Sequence, residues 1–295
     1  MRITEQTRVQ NQVNYLNHAT ERMSRVQQQL ATNRRIDRAS DDPTGASLAM
    51  QHRKNIAFEA QMRRNLDNGT AFLNVTESSL AGTTDLLQRV RELTVQASND
   101  TLGPTERAQI GQEVNQIIEQ LAQVANANFG GVYIFSGHQT QTPAYAVSGS
   151  PPAGITYQGD TGLRERRISP QDVVPVNVIG SQVFGSMFDD LMQLRDNLTG
   201  GATGATINTS LADIDRALDR VLNARADVGA RLNRFEATKY RSEESDTNLQ
   251  QLRAEIEDVD IADAIMKFTA AQNAMEAALG AIGRTSNMTL LNFLR

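Results

Sequence analysis

The sequence contains no cysteine and no tryptophan, 5% aromatic residues and 7 prolines in 295 residues. The missing cysteines exclude disulfides, thiolate catalysis and cysteine-ligated metal sites. They suit a chain that leaves a reducing cytosol and folds outside it without redox help. Large globular enzymes usually carry more aromatic side chains, and the mean hydropathy of -0.42 is low for one. The 39% apolar content comes mostly from Ala, Leu, Val and Ile, set among many Gln, Asn, Thr and Arg. That is the composition of long helices packed through narrow seams. No apolar run approaches the roughly 18 residues of a membrane span. Residues 1–30 lack the apolar h-region of a cleavable secretory signal, so export, if it occurs, is expected to use another route.

Strong positive charge is also missing. A formal net charge of -5 and a pI near 5.4 argue against a general affinity for nucleic acid. The runs Arg63-Arg64 and Arg164-Glu165-Arg166-Arg167 are short and read as solvated faces. His18, His52 and His138 share no metal-binding spacing and fall in different expected elements, so no metal site, cofactor or catalytic residue is assigned. The carboxylates Asp41-Asp42 and Glu255, Glu257, Asp258, Asp260 and Asp263 read as helix caps and favourable charges at helix N-termini. The stretch Thr199 to Gly204 lacks the Lys-Ser/Thr ending of a P-loop and reads as a flexible linker.

What the sequence does have is helical periodicity. Residues 3–38 carry one stripe, punctuated by Ser40-Asp41-Asp42-Pro43; Asp42 before Pro43 is an N-cap followed by Pro at the first helical position. The next helix keeps Leu48, Met62, Leu66, Leu73, Leu80, Leu87, Val90 and Ala97 in one register, with Gly69, Thr76 and Thr83 as small members, until Ser98-Asn99-Asp100. A third helix, capped by Thr105, carries Ile110, Val114, Ile117, Leu121 and Val124. From Asn126 the period changes to short β-branched and aromatic runs, and the segment from Ile155 to Ile168, turning at Gly159-Asp160-Thr161-Gly162, is the best hairpin candidate. Helices return at Val183 to Leu198 and from Leu211 onward, weakening between Lys239 and Thr247.

The expected fold is mainly α: a long antiparallel helical rod and coiled-coil termini, with an inserted small β-rich domain. The expected divisions are a terminal assembly domain from 1–42 and 256–295, a rod from 43–131 and 206–255, and a β-rich outer domain at 132–205. The two ends carry matching stripes, and their apolar residues are the candidate assembly interface. At the front these are Val9, Val13, Leu16, Met23 and Leu30; at the back, Ile261, Ile265, Phe268, Met275, Leu279, Ile282, Leu291, Phe293 and Leu294. Each set is expected to meet the other and also to face neighbouring chains. Gln27 and Gln272, which interrupt the stripes, are candidates for setting register.

Several segments resemble the bacterial flagellin family. These are Arg35-Ile36-Asp37-Arg38-Ala39-Ser40-Asp41-Asp42-Pro43-Thr44-Gly45, the helical segment Gln88 to Ala97, Ile256-Glu257-Asp258-Val259-Asp260, and the closing Leu290 to Arg295. Within the family, Met1-Arg2-Ile3-Thr4, Asn128 to Gly137, Thr142 to Tyr145 and Tyr157 to Asp160 are closer to the hook-filament junction branch than to filament flagellins. The resemblance implies a non-enzymatic subunit that assembles with copies of itself and joins the hook, through hook-associated protein 1, to the flagellin filament. It also implies export through the flagellar type III apparatus, an export chaperone on the C-terminal region, and an extracellular position with no nucleic-acid or membrane partner. Filament flagellin is the alternative, and a cytosolic coiled-coil signalling protein a more distant one. In some flagellins a segment like Gln88 to Ala97 is seen by an innate immune receptor; here a core-helix or inter-subunit face is the preferred reading.

Overall fold

The computed structural model describes the backbone of residues 5–99 and 101–293, and the side chains of residues 7, 10–99 and 101–283. In chain order the helices are α1 (Glu5–Thr32), α2 (Pro43–Ala97), α3 (Pro104–Ala125), α4 (Gly180–Val183), α5 (Met187–Thr199), α6 (Gly204–Glu257) and α7 (Ile261–Phe293). The strands fall between α3 and α4: β1 (Asn128–Phe129), β2 (Val132–Tyr133), β3 (Tyr145–Ser148), β4 (Gly154–Tyr157), β5 (Glu165–Ser169) and β6 (Asp172–Pro175). Long helices with a small β region are thus the fold. Among the described residues no helix is long and apolar enough to cross a membrane. The chain divides into two compact units, Met1–Glu59 with Glu244–Arg295, and Ala60–Glu243.

In the second unit, α2 buries a strict seven-residue repeat: Met62, Leu66, Gly69, Leu73, Thr76, Leu80, Thr83, Leu87, Val90, Thr94 and Ala97. A repeat of 3.5 keeps one stripe facing one partner, and α6 supplies it with Ile207, Ile214, Val221, Val228 and Phe235. The two helices run antiparallel. Asp67 pairs with Lys239 at 2.7 Å, Glu77 with Arg225 at 2.8 Å and Arg91 with Asp215 at 2.8 Å, so numbers rise on one helix as they fall on the other. Buried threonines in such a seam need partners. Thr76 donates to the Phe72 carbonyl (2.9 Å), Thr83 to Ser79 (2.9 Å) and Thr94 to Val90 (2.7 Å), each within its own helix.

The end of α2 is tied by a buried arginine. Arg107 Nε donates to the Ala97 carbonyl (3.1 Å), Nη2 to Asn99 (3.2 Å) and Nη1 to Ala202 (3.2 Å). Carbonyls that a helix end leaves without intrahelical donors are satisfied this way. The segment 199–204, read from sequence as a flexible linker, thus connects α5 to α6 with its Ala202 carbonyl bonded to Arg107. The start of α3 also differs from expectation: Gly103 is the N-cap and Pro104 the first helical residue, with no cap from the Thr105 hydroxyl. Proline's fixed φ and missing N–H suit that position, which moves the cap two residues earlier.

The strand region corrects two expectations. It forms three two-stranded antiparallel pairs, β1 with β2, β3 with β4 and β5 with β6, so Ile155 and Ile168 lie in different hairpins. The loop from Gly159 to Gly162 is used otherwise. Asp160 Oδ1 accepts from the backbone N–H groups of His138 (2.7 Å) and Gly162 (2.9 Å), and the Tyr157 hydroxyl lies 3.0 Å from the Phe135 carbonyl. These bonds fold the loop onto residues 135–138. The stretch 132–205, set apart as its own domain in the sequence reading, shares one core with the helices. Ile134, Phe135, Tyr145, Ile168 and Phe188 belong to the same buried cluster as Leu73, Leu121 and Val228. Isolated two-stranded hairpins cannot bury enough surface to stand alone. Around Tyr145 the rings of Tyr157, Phe184 and Phe188 lie 5.0 to 5.6 Å away, and burial raises the Tyr145 phenol's pKa.

Gly69 is a point of close approach in the α2–α6 seam: a Cβ there would lie 2.2 Å from Phe235 Cε1. The glycine makes room for the ring, which is fully buried. Gly69→Val is expected to destabilise the protein by about 1–3 kcal/mol through overpacking, read as a lowered urea midpoint. Adding Phe235→Leu should recover part of that loss.

Candidate assembly surface

In the first unit, α1 packs against α7. Burial along α1 falls on Gln12, Leu16, Ala19, Met23, Val26 and Leu30, and along α7 on Ala264, Phe268, Ala271, Met275, Ala278 and Ile282. Both sets step by four and three, the spacing of a coiled-coil seam. Ala19 and Ala264, at 4% and 2% exposure, are its most enclosed members. Small residues at the contact let the two backbones approach closely.

The candidate interface therefore separates into two strips. Leu16, Met23, Leu30, Phe268, Met275 and Ile282 lie half-buried in the seam. Val13, Ile261, Ile265 and Leu279 lie outside it, 42%, 53%, 52% and 48% exposed. Gln27 and Gln272 are also exposed, so they do not set register between α1 and α7. The reason is geometric: each stripe read from sequence joins residues from two adjacent lines on the helix, and the alanine positions complete the inner one. The side chains of Val9, Leu291, Phe293 and Leu294 lie outside the described residues.

A backbone clasp holds the two connectors of this unit together. Arg35 N–H donates to the Glu257 carbonyl (2.6 Å), Val259 N–H to Asn33 (3.3 Å), and Arg34 and Asp258 form an antiparallel bridge. Arg35 Nη2 adds a bond to the Ile256 carbonyl (2.9 Å). Glu257, 4% exposed, places Oε1 2.7 Å from Arg53 Nη2. A buried carboxylate needs such a partner. Asp258 and Glu257 are thus clasp residues, whereas Asp260 caps α7 by accepting from the Ala262 (2.9 Å) and Asp263 (3.2 Å) N–H groups.

The Arg35 to Gly45 segment forms the facing corner. Asp42 Oδ1 caps α2 by accepting from Gly45 N–H (2.9 Å), and Asp41 Oδ2 accepts from Arg38 N–H (2.9 Å). Ile36 is buried against the first turn of α2, where a Cβ on Gly45 would lie 2.6 Å from its Cδ1. The Gly45 hydrogen bond, helped by Arg35 and opposed by desolvation, holds the Asp42 carboxyl below the usual carboxylate range. A depressed pKa stabilises the fold at neutral pH and is lost as pH falls through the folded value.

In the segment Gln88 to Ala97, Val90, Leu93, Thr94 and Ala97 are buried, while Arg89, Arg91, Glu92, Val95 and Gln96 are exposed. Among the described residues no group of three or more His, Asp or Glu side chains is placed to hold a metal ion. Two expectations follow from the geometry. Ala264→Leu should separate α1 from α7 at a cost of about 1–3 kcal/mol, seen as faster amide exchange along both helices, whereas Ile265→Ala should leave exchange unchanged. Lowering the pH below the usual carboxylate range should reduce the protection of the Gly45 amide, measured as its exchange rate relative to the intrinsic rate at the same pH, and Asp42→Asn should remove that acid dependence.

Comparison with known proteins agrees with this geometry. A model described as the bacterial flagellin N-terminal helical region matches residues 3–140, and one described as the C-terminal helical region matches residues 211–294. Flagellin FlaB1 of Treponema pallidum is 29% identical over 95% of both chains. Flagellar hook-associated protein 3 of Escherichia coli is 23% identical over 98% of both. The crystal structure of Bacillus cereus FlgL superposes with a TM-score of 0.61 at 25% identity, covering 69% of this chain and 99% of that one. The two family matches contain the clasp, the paired terminal helices and the β1–β2 pair, and leave the other two hairpins between them: the chain belongs to the bacterial flagellin family.

Proposed function

We propose that this chain is a structural, non-enzymatic subunit of the bacterial flagellum with the role of hook-associated protein 3, joining the hook to the flagellin filament. The observation that carries the reading is the likeness to FlgL of Bacillus cereus, which spans 99% of that chain. The Escherichia coli hook-associated protein 3 match over nearly the whole length supports it. The partners that follow are copies of the chain itself, hook-associated protein 1, flagellin, a chaperone on the C-terminal region and the flagellar type III apparatus. The location that follows is extracellular, between hook and filament. The exposed strip of Val13, Ile261, Ile265 and Leu279 is the surface offered to neighbouring subunits, since apolar side chains left beside a filled seam gain from being covered.

Filament flagellin is the second reading, favoured by the 29% identity to Flagellin FlaB1 over 95% of both chains. Antibody labelling of intact flagella separates the two: a single band between hook and filament supports the junction, and labelling along the filament overturns it. Purified protein that propagates into long filaments would also favour flagellin. Leu279→Asp is expected to keep α1 paired with α7 and to abolish incorporation into flagella. Phe268→Asp should lose both the pairing and incorporation. Normal flagella from Leu279→Asp would remove the exposed strip from the interface.

A further inference from the structure

Residues 177–183 and the α6 stretch 220–231 enclose a cleft of about 250 Å³ in the second unit. Its polar atoms are unevenly matched. Arg220 Nε is buried with no hydrogen-bond partner, and Nη2 reaches only the Phe184 carbonyl, at 3.5 Å. Room for the guanidinium comes from Gly185, at φ +49, where a Cβ would lie 3.3 Å from that Nε. Asp227, which also lines the cleft, is committed to Arg231 at 2.5 Å. Arg231 in turn donates to the carbonyls of Pro175 (3.1 Å) and Asn177 (2.9 Å).

Two guanidinium groups against one carboxylate leave a single positive charge without a counterion. It sits on Arg220, whose Nε is closed off against Gly185, so that of its polar atoms the Nη groups, held by one long contact to the Phe184 carbonyl, are the ones left to line the cleft. The amides of Gln182 and Asn223 line the same cleft with no side-chain hydrogen bond among the described residues. Leu163, 48% exposed, and buried Ile179 form apolar walls.

We infer that this cleft binds one carboxylate, with Arg220 as its counterion, Gln182 and Asn223 as flanking donors, and Leu163 and Ile179 holding the methylenes that carry it. A guanidinium presents parallel N–H groups matched to the two oxygens of a carboxylate. One spare charge balances a monoanion, whereas a phosphate dianion would leave a negative charge uncompensated between apolar walls. The carboxylate comes either from an acidic side chain of a neighbouring polypeptide or from a small free acid. The site stands on its own geometry and holds for a junction subunit and a filament subunit alike.

The test is NMR of the full chain labelled at arginine Nε, titrated with N-acetylglutamate amide, with succinate and with chloride at matched ionic strength. One Nε–H signal, absent in Arg220→Gln, should shift saturably with a carboxylate and not with chloride. A saturable shift with N-acetylglutamate amide and none with succinate assigns the source to a polypeptide side chain. The reverse assigns it to a small acid, and a shift with both supports the site for either source. Asn223→Leu, at an exposed position, should weaken binding at least about tenfold while far-UV circular dichroism and the melting temperature stay unchanged, which separates the site from folding. No saturable shift with either carboxylate, or a shift that persists in Arg220→Gln, overturns the proposal.

Discussion

The structure of the first unit depends on closing a very long loop. Arg35 and Ile256, joined by a hydrogen bond, stand 221 residues apart in sequence. For a fully flexible chain of that length the closure would cost on the order of 5 kcal/mol in loop entropy, and the pairing of α2 with α6, as at Asp67–Lys239, removes much of it before the clasp forms. The backbone bonds at 33–35 and 257–259 and the Arg53–Glu257 pair act against that cost where α1 and α7 begin to run together. Once the connectors are joined, the alanines of α1 and α7 meet at high local concentration. The family signatures at 35–45 and 256–260 thereby acquire a physical meaning, because Arg35 joins residues 256–257 in the clasp while Asp42 and Asp260 cap the helices that leave it.

The paired terminal helices divide apolar surface between two uses. The inner line of alanines and larger residues holds α1 to α7, and the line beside it keeps Val13, Ile261, Ile265 and Leu279 exposed. The second unit shows no such division on its main seam, where the α2 repeat is buried from Met62 to Ala97. A seam that is filled stabilises a fold, and one that is half-filled leaves surface for an encounter.

Much of this was legible in the sequence for reasons that can be named. The α2 seam was readable from Met62 to Ala97 because its repeat there is seven residues and unbroken, whereas Leu48, read into the same register, is 45% exposed; the Asp42-Pro43 helix start was readable because both residues have fixed roles in the first turn. The α1–α7 seam was only half readable: Leu16, Met23 and Phe268 are large enough to notice, whereas Ala19 and Ala264 count for little in a hydropathy pattern yet set how near the helices come. The hairpin pairing was missed because glycines at 159 and 162 suggest a tight turn, and nothing local says that Asp160 will bond to His138 instead. The Arg220 cleft gave no signal at all. Its parts come from residues 163, 177–183 and 220–231, and their meeting is a property of the fold.

The threonines of the α2 seam have a mechanical consequence. Because Thr76, Thr83 and Thr94 bond to carbonyls of their own helix, they ask nothing of α6. These threonines leave no hydrogen bond to break inside the seam when one helix is pushed along the other by a heptad; the bonds that would break are the partly exposed pairs Asp67–Lys239, Glu77–Arg225 and Arg91–Asp215 beside it. Those pairs and shape together resist that slip, with Gly69 as the notch that receives the ring of Phe235. Under axial load the pair would act as the tooth of a ratchet, holding its register by steric fit.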